Sequence, residues 1–207
     1  GLTILFGFPA PIILALMINE VKNSAFKRTV QTITYMPYFI SMVVLCGLLK
    51  TFCMQDGLFA QIAVLFGGKA QNYLANPAYF RTIYVLSDIW SGIGWNSIIY
   101  LAALSSIDQE QYEAARVDGA NRFQQMLHIT LPGLVPTIMV LFILRMGNIL
   151  NVGYEKILLL YNSATYSTAD VISTYTYRLS FGGSGNPMYS KSTAIGLFNT
   201  IINVFFL

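Results

Sequence analysis

Five apolar runs dominate this sequence, and each is close to the roughly 20 residues that a helix needs to cross a bilayer. They cover Gly1 to Ile18, Thr32 to Phe52, Thr82 to Leu104, Leu134 to Leu150, and a stretch from about Thr193 to the end of the chain. In hydrocarbon every backbone N–H and C=O must be paired within its own segment, so each run is expected to be a helix. Composition points the same way. Of 207 residues, 55% are hydrophobic and only 10% are charged, against about 25% charged in a soluble domain. The expected fold class is all-α, a multi-pass bundle of transmembrane helices. The net charge of +3 is too small for a nucleic-acid binder, and a basic patch here would serve cytoplasmic loops or lipid headgroups.

The chain opens on Gly1 inside one apolar run and closes on Phe205-Phe206-Leu207 inside another. We therefore expect a portion of a longer protein, with at least one transmembrane helix ahead of Gly1. Pro9, Pro11 and Pro37 lie in the first two runs and predict bends, since proline removes a backbone donor. Such bends either shape a cavity or are simply tolerated by neighbouring helices. Cys46 and Cys53 sit two helical turns apart, too far to pair within one helix, and read as small buried apolar residues. The single histidine, His128, builds no metal site alone.

Four connections join the five runs. The first and third, Asn19 to Gln31 and Ser105 to Gly133, fall on one side by parity. They carry Lys22, Lys27, Arg28, Arg116 and Arg122, while the other two carry Lys69, Arg81, Lys156, Arg178 and Lys191. The totals are level, but the first and third are shorter, so the density of cations places them in the cytoplasm. The connection from Asn151 to Ser192 holds a turn cluster, Gly182 to Pro187. It also holds N-cap chemistry at Ser167 to Asp170, ahead of a tyrosine-bearing stretch, Val171 to Tyr177, that suits a short interfacial helix.

The third connection is the most informative. Asp108-Gln109-Glu110 puts acid at a helix start, where the dipole favours it. Glu113, Ala114, Ala115 and Arg116 are good helix formers. Gly119 then suits a C-cap with positive φ. A second short helix, Asn121 to His128, leads to Ile129-Thr130-Leu131-Pro132, which starts the next membrane helix. Small residues at Ala114, Ala115 and Gly119 let a partner's backbone approach closely, and Glu113 and Arg116 offer it charges. The plainer alternative is an ordinary amphipathic interfacial loop.

The spacing Glu113-Ala114-Ala115, Gly119, Ile129, Leu131, Pro132 resembles the EAA loop of the permease subunits of binding-protein-dependent carbohydrate ABC importers, the MalF/MalG-like superfamily. Met36 to Ser41, Ile89 to Asn96 and Tyr100 to Leu104 look like further helices of that family. Asn151 to Lys156, Tyr161-Asn162, Ala169 to Tyr175 and Ser192 to Asn199 look like its oligosaccharide and polysaccharide branch, the aldouronate and alginate type. Met126 departs from the aromatic expected there. The resemblance implies the type I importer permease fold (MetI-like), as one domain over 1–207 with a cytoplasmic coupling loop at 105–133.

The resemblance further implies a transport subunit of a bacterial inner membrane, not an enzyme. Its partners would be a second permease, a dimeric ABC ATPase and an extracytoplasmic solute-binding protein, beside the saccharide substrate and the lipid bilayer, with no nucleic acid. Coupling to the ATPase would fall to Glu113, Ala114, Ala115, Arg116, Asp118, Gly119, Leu131 and Pro132. No catalytic residue, metal or cofactor is expected on this chain, because ATP and Mg would belong to the ATPase. Consistent with that, Gly67-Gly68-Lys69-Ala70 lacks the upstream Gly and following Ser/Thr of a P-loop.

Polar groups in membrane helices are costly and usually face a cavity or another helix. Asp88, Trp90, Trp95, Asn96, Arg145, Asn148, Asn151 and Asn199 are therefore the candidates for the substrate path, with Trp90, Trp95 and Tyr100 able to stack on sugar rings. Arg145, Asn148 and Asn151 recur every three residues, which predicts one helix face. A buried Arg145 would suit an acidic sugar, or pair with an acid such as Asp88. The competing reading is that the amides join helices and the tryptophans mark the interface. Alternative functions are a secondary transporter or channel, which leaves the Glu113 loop unexplained, and an ABC permease for a non-sugar solute.

Overall fold

A computed structural model of the chain describes residues 1–150, 153–181 and 187–206. Every regular element among the described residues is helical. In chain order the α-helices are α1 (Leu2–Gly7), α2 (Pro9–Glu20), α3 (Ser24–Tyr35), α4 (Met42–Cys53), α5 (Leu58–Leu65), α6 (Pro77–Ser105), α7 (Gln109–Val117), α8 (Arg122–Gln125), α9 (Leu131–Met146), α10 (Tyr154–Leu160), α11 (Tyr166–Ala169), α12 (Ile172–Phe181) and α13 (Tyr189–Phe205). Among the described residues three stretches are long and apolar enough to cross a membrane: Leu2–Glu20, Met42–Leu65 and Arg122–Met146. At 29 residues α6 is longer, but Arg81, Asp88 and Asn96 dilute it.

The all-α fold class is the observed one, with boundaries that moved for physical reasons. Pro37, in the 3-10 turn Met36–Phe39, splits the expected second run into α3 and α4. Proline gives no N–H to the ladder, and Ser41 starts α4 afresh by accepting from the Val44 N–H at 3.4 Å. Pro9 is harmless, because it sits at the first position of α2, where the N–H has no intrahelical partner. The fourth run ends at Met146, not Leu150. Gly147-Asn148 follows, and the Ile149 N–H closes a turn on Met146 at 3.0 Å.

The chain packs as two compact units, Gly1–Tyr38 with Asp88–Arg145 and Phe39–Ser87 with Met146–Leu207. In the first, Ala15, Tyr100, Leu104 and Leu134 form the buried core. Tyr100 is thus a packing residue and not an open stacking platform. At the edge of this core Phe8 meets Phe142 edge-on, with ring centroids 5.4 Å apart.

In the second unit α4 buries Leu45, Cys46, Leu49 and Cys53, one face at helical spacing, and both thiols are free. Within the connection 151–192 the described residues around Asp170 are tied by side-chain bonds. Asp170 accepts from the Thr174 hydroxyl at 2.6 Å and from both arms of Arg178 at 2.5 and 3.0 Å. The Arg178 guanidinium also lies over the Tyr166 ring, 5.1 Å from its centroid. The expected helix at Val171 to Tyr177 is α12, which runs on to Phe181. Residues 182–186 of the turn cluster lie outside the described residues.

Burial pushes the Asp170 carboxyl up, but hydrogen bonds from Arg178 and Thr174 outweigh it and hold it below the usual carboxylate value. A depressed carboxyl stabilises the folded form above its unfolded value, about 3.9, and loses that contribution as the pH falls through the depressed value. Hydrogen exchange across Val171 to Arg178 should therefore stay slow at pH 5 and quicken only below the ordinary carboxylate range. At pH 7 Asp170→Asn should quicken it, with a loss on the order of 1 kcal/mol for this partly exposed pair, a difference that vanishes once the native carboxyl is protonated. Equal exchange in variant and wild type would show that the ion pair does not hold this segment.

Candidate coupling site

The third connection is rigid, and its rigidity is written in short-range hydrogen bonds. Asp108 caps α7 by accepting from the Glu110 N–H at 3.0 Å. At the other end the Gly119 N–H bonds Arg116 O at 3.1 Å and the Ala120 N–H bonds Ala115 O at 2.8 Å. That pair of bonds is a Schellman closure, which needs a left-handed residue. Gly119 supplies it at φ +80°. Asn121 and Gln124 then form a reciprocal capping box with bonds of 2.9 and 2.8 Å.

The predicted second helix, Asn121 to His128, does not stop. From α8 the backbone passes through a π-helical turn, Met126–Thr130, straight into α9. Pro132 supplies the reason. It has no N–H to give and its ring crowds the carbonyl one turn back. The ladder therefore widens by one residue, and the Leu131 N–H reaches back to Met126 O. The result is one helical run from Arg122 to Met146 of 25 residues, with the polar loop as its first turn.

Helix α7 is tied to the base of that run. Thr130 is buried and donates to Gln125 O at 3.4 Å. Its oxygen lies 3.0 Å from the Tyr112 hydroxyl, so Tyr112 is the donor of that bond. Gln125 is also buried and donates to Ala120 O at 2.7 Å. Gly133 packs so closely on Ile107 that a Cβ would lie 2.7 Å from its side chain. A further tie, Arg122 to Glu20 at 3.7 Å, sets the end of α2 beside α8. The first and third connections thus share one side, as parity predicts.

Between α7 and α8 opens a pocket of about 340 Å³, framed by Ala115, Asp118, Gly119, Ala120, Gln124 and His128. His128 Nδ1 lies 3.0 Å from Gln124 O, an acceptor, which places its proton on Nδ1. Ala115 and Leu131 are half-buried, whereas Glu113, Ala114, Arg116, Asp118, Gly119 and Pro132 are exposed. Two apolar side chains beside them are bare: Val117 is 88% exposed and Phe123 66%.

The substrate-path candidates are divided between the two units. In the first unit Trp95 stacks on Tyr38, with centroids 4.6 Å apart and planes 5° from parallel. Trp90 and Asn96 are exposed and Asp88 is half-buried. Arg145 is exposed in the last turn of α9 and makes no ion pair among the described residues, so neither expectation for it as a buried or Asp88-paired cation holds. Asn148 falls past the end of α9, which removes the expected face shared with Arg145. Asn151 lies outside the described residues. Asn199, half-buried on α13, belongs to the second unit.

The buried cation is Lys156, only 2% exposed, which sequence reasoning counted merely as a loop charge. Its Nζ donates to Tyr84 O at 3.3 Å and sits 4.7 Å from the Tyr84 ring centroid. The missed signal is the spacing of Lys156 and Leu160, one turn apart on the apolar face of α10.

Comparison with known proteins places this architecture. Two relatives from Bacillus subtilis (strain 168) each align over 205 residues, 99% of this chain. Protein LplB is 43% identical. The polygalacturonan/rhamnogalacturonan transport system permease protein YteP is 42% identical. The chain spans 64% and 63% of their lengths. It also superposes on a chain of a crystallised bacterial ABC transporter involved in the import of the acidic polysaccharide alginate. That match has a TM-score of 0.95 and 49% identity, covering all of this chain and 71% of the other. A bacterial alginate ABC transporter crystallised in complex with an alginate pentasaccharide-bound periplasmic protein matches with the same TM-score, identity and coverage. The family model of the binding-protein-dependent transport system inner membrane component matches residues 7–206, and the chain belongs to that family.

Proposed function

We propose that this chain is the membrane-spanning subunit of an ATP-driven importer, one domain that forms part of the path for an acidic oligo- or polysaccharide. The observation that carries the coupling mechanism is the single helical run from Arg122 to Met146, whose polar first turn frames the pocket at Gly119. An ATPase subunit seated against Ala115, Val117, Gly119 and Phe123 pushes on a lever, because Tyr112 and Thr130 prevent α7 from sliding independently. Movement of the ATPase pair then tilts α9 and alternates access to the path. The partners are a second permease, the two ATPase subunits with their ATP and Mg, and an external solute-binding protein, in a bacterial inner membrane.

The substrate class rests on the relatives, whose names specify polygalacturonan and alginate, both uronate polymers. Arg145, exposed at the end of α9, is a cation suited to such a substrate. Trp90 and Trp95 supply flat apolar faces for pyranose rings.

Two outcomes test this reading. Gly119→Val has to hold a β-branched residue at φ +80°, which costs about 1–2 kcal/mol, and should abolish substrate-stimulated ATP turnover in the reconstituted transporter. Gly119→Asn tolerates that backbone and should keep most of it; normal coupling in the valine variant would sink the lever. For the path, Arg145→Ala should weaken uptake of an acidic saccharide roughly tenfold or more, the value of one charge-assisted hydrogen bond. Unchanged uptake would remove Arg145 from the path.

A further inference from the structure

Three aromatic rings of the second unit touch in a row. Tyr154, the first residue of α10, lies 6.3 Å from Tyr177 of α12, centroid to centroid, and Tyr177 lies 5.3 Å from Phe181. Tyr177 and Phe181 are one turn apart on the same helix face. All three are exposed, Phe181 by 71%. Neighbouring planes tilt by 30° and 43°, so the rings meet without covering one another's faces. Neither tyrosine hydroxyl makes a hydrogen bond among the described residues.

The supports beneath the row are fixed. Helix α10 is anchored by the buried Lys156, Ile157 and Leu160, and the Lys156 Nζ donates to Tyr84 O. Helix α12 is held by the bidentate pair of Arg178 with Asp170 and by Thr174. At its end the Met188 N–H bonds Leu179 O at 3.0 Å, and Ser180 donates to Ser192 of α13 at 2.8 Å. Ahead of α10 the Asn203 side chain of α13 accepts from the Leu150 N–H at 3.4 Å. The chain entering α10 and the end of α12 are thus both tied to α13, the helix that carries Asn199. Open ring faces on such supports, with unused hydroxyls at their edges, suit a sugar. A pyranose offers a C–H face to stack and hydroxyls to bond. Acyl chains would strand the two tyrosine hydroxyls, and rings already held in place cost a ligand little ordering entropy.

We propose that Tyr154, Tyr177 and Phe181 form a stacking platform for successive pyranose rings of the transported saccharide. The platform depends on the saccharide reading of this chain and adds a subsite that recognises ring faces and not charge. The test uses the intact transporter in proteoliposomes, its solute-binding protein saturated with a uronate pentasaccharide. Tyr177→Ala and Phe181→Ala should each slow pentasaccharide uptake roughly fivefold, the value of one lost ring contact, and slow a disaccharide, which spans fewer rings, much less. Tyr177→Phe keeps the ring and should keep most of the rate. Pentasaccharide uptake equal to wild type in both alanine variants would overturn the platform and leave the saccharide reading standing. No saccharide uptake by the wild type would overturn both.

A second measurement keeps an aromatic body in the row. A benzophenone side chain at position 177 should crosslink labelled pentasaccharide during turnover and lose that product to excess unlabelled pentasaccharide. Crosslinks only to lipid would assign the row to the headgroup region and overturn the platform. Crosslinks only to a neighbouring permease or to the solute-binding protein would assign it to a protein interface, with the same consequence.

Discussion

The polar loop and the apolar helix that follows it share one unbroken helical backbone from Arg122 to Met146. A helix broken at the membrane surface would let the loop move without consequence. Here the break that Pro132 would cause is absorbed by a π turn, so the hydrogen-bond ladder shifts register instead of ending. Around this run the other ties are local and numerous. The Schellman closure at Gly119, the capping box at Asn121 and the bond from Tyr112 to Thr130 each fix one degree of freedom. Together they hold the loop in one conformation, so a partner that docks on it is spared the entropy of ordering it.

Charge is handled in three ways, and each reflects its surroundings. Asp170 and Arg178 pair bidentately in a connection where both remain partly solvated. Lys156, deep in the second unit, is met by a carbonyl and a ring face. Lys22, Lys27 and Arg28, in and just before α3, make no ion pair among the described residues and keep contact with their surroundings. A cation costs least where its counter-charge is built in or supplied by the solvent it faces.

Much of this was legible in the sequence. Hydrophobic runs of bilayer length gave the all-α class, and the acid start, small residues and glycine of the third connection gave α7 and the left-handed Gly119. What sequence reasoning missed depends on geometry it does not encode. Pro132 reads as a helix start, and only the π turn reveals that the helix passes through it. Pro37 reads as a kink, yet Ser41 turns it into a full break. Arg145 reads as buried because its neighbours are apolar, but α9 turns it outward. Lys156 reads as a loop charge because the periodicity of the seven-residue α10 is too short to stand out.

The central claim is that an ATPase subunit sits on the face formed by α7 and α8. The most direct measurement places a photocrosslinker at the exposed Val117, in cells expressing the intact transporter. A crosslink to a subunit bearing an ATP-binding P-loop, altered when ATP is trapped, is the result predicted. A crosslink only to lipid, or none while the ATPase remains in the complex, would contradict it and return Glu113 to Pro132 to the status of an ordinary interfacial loop.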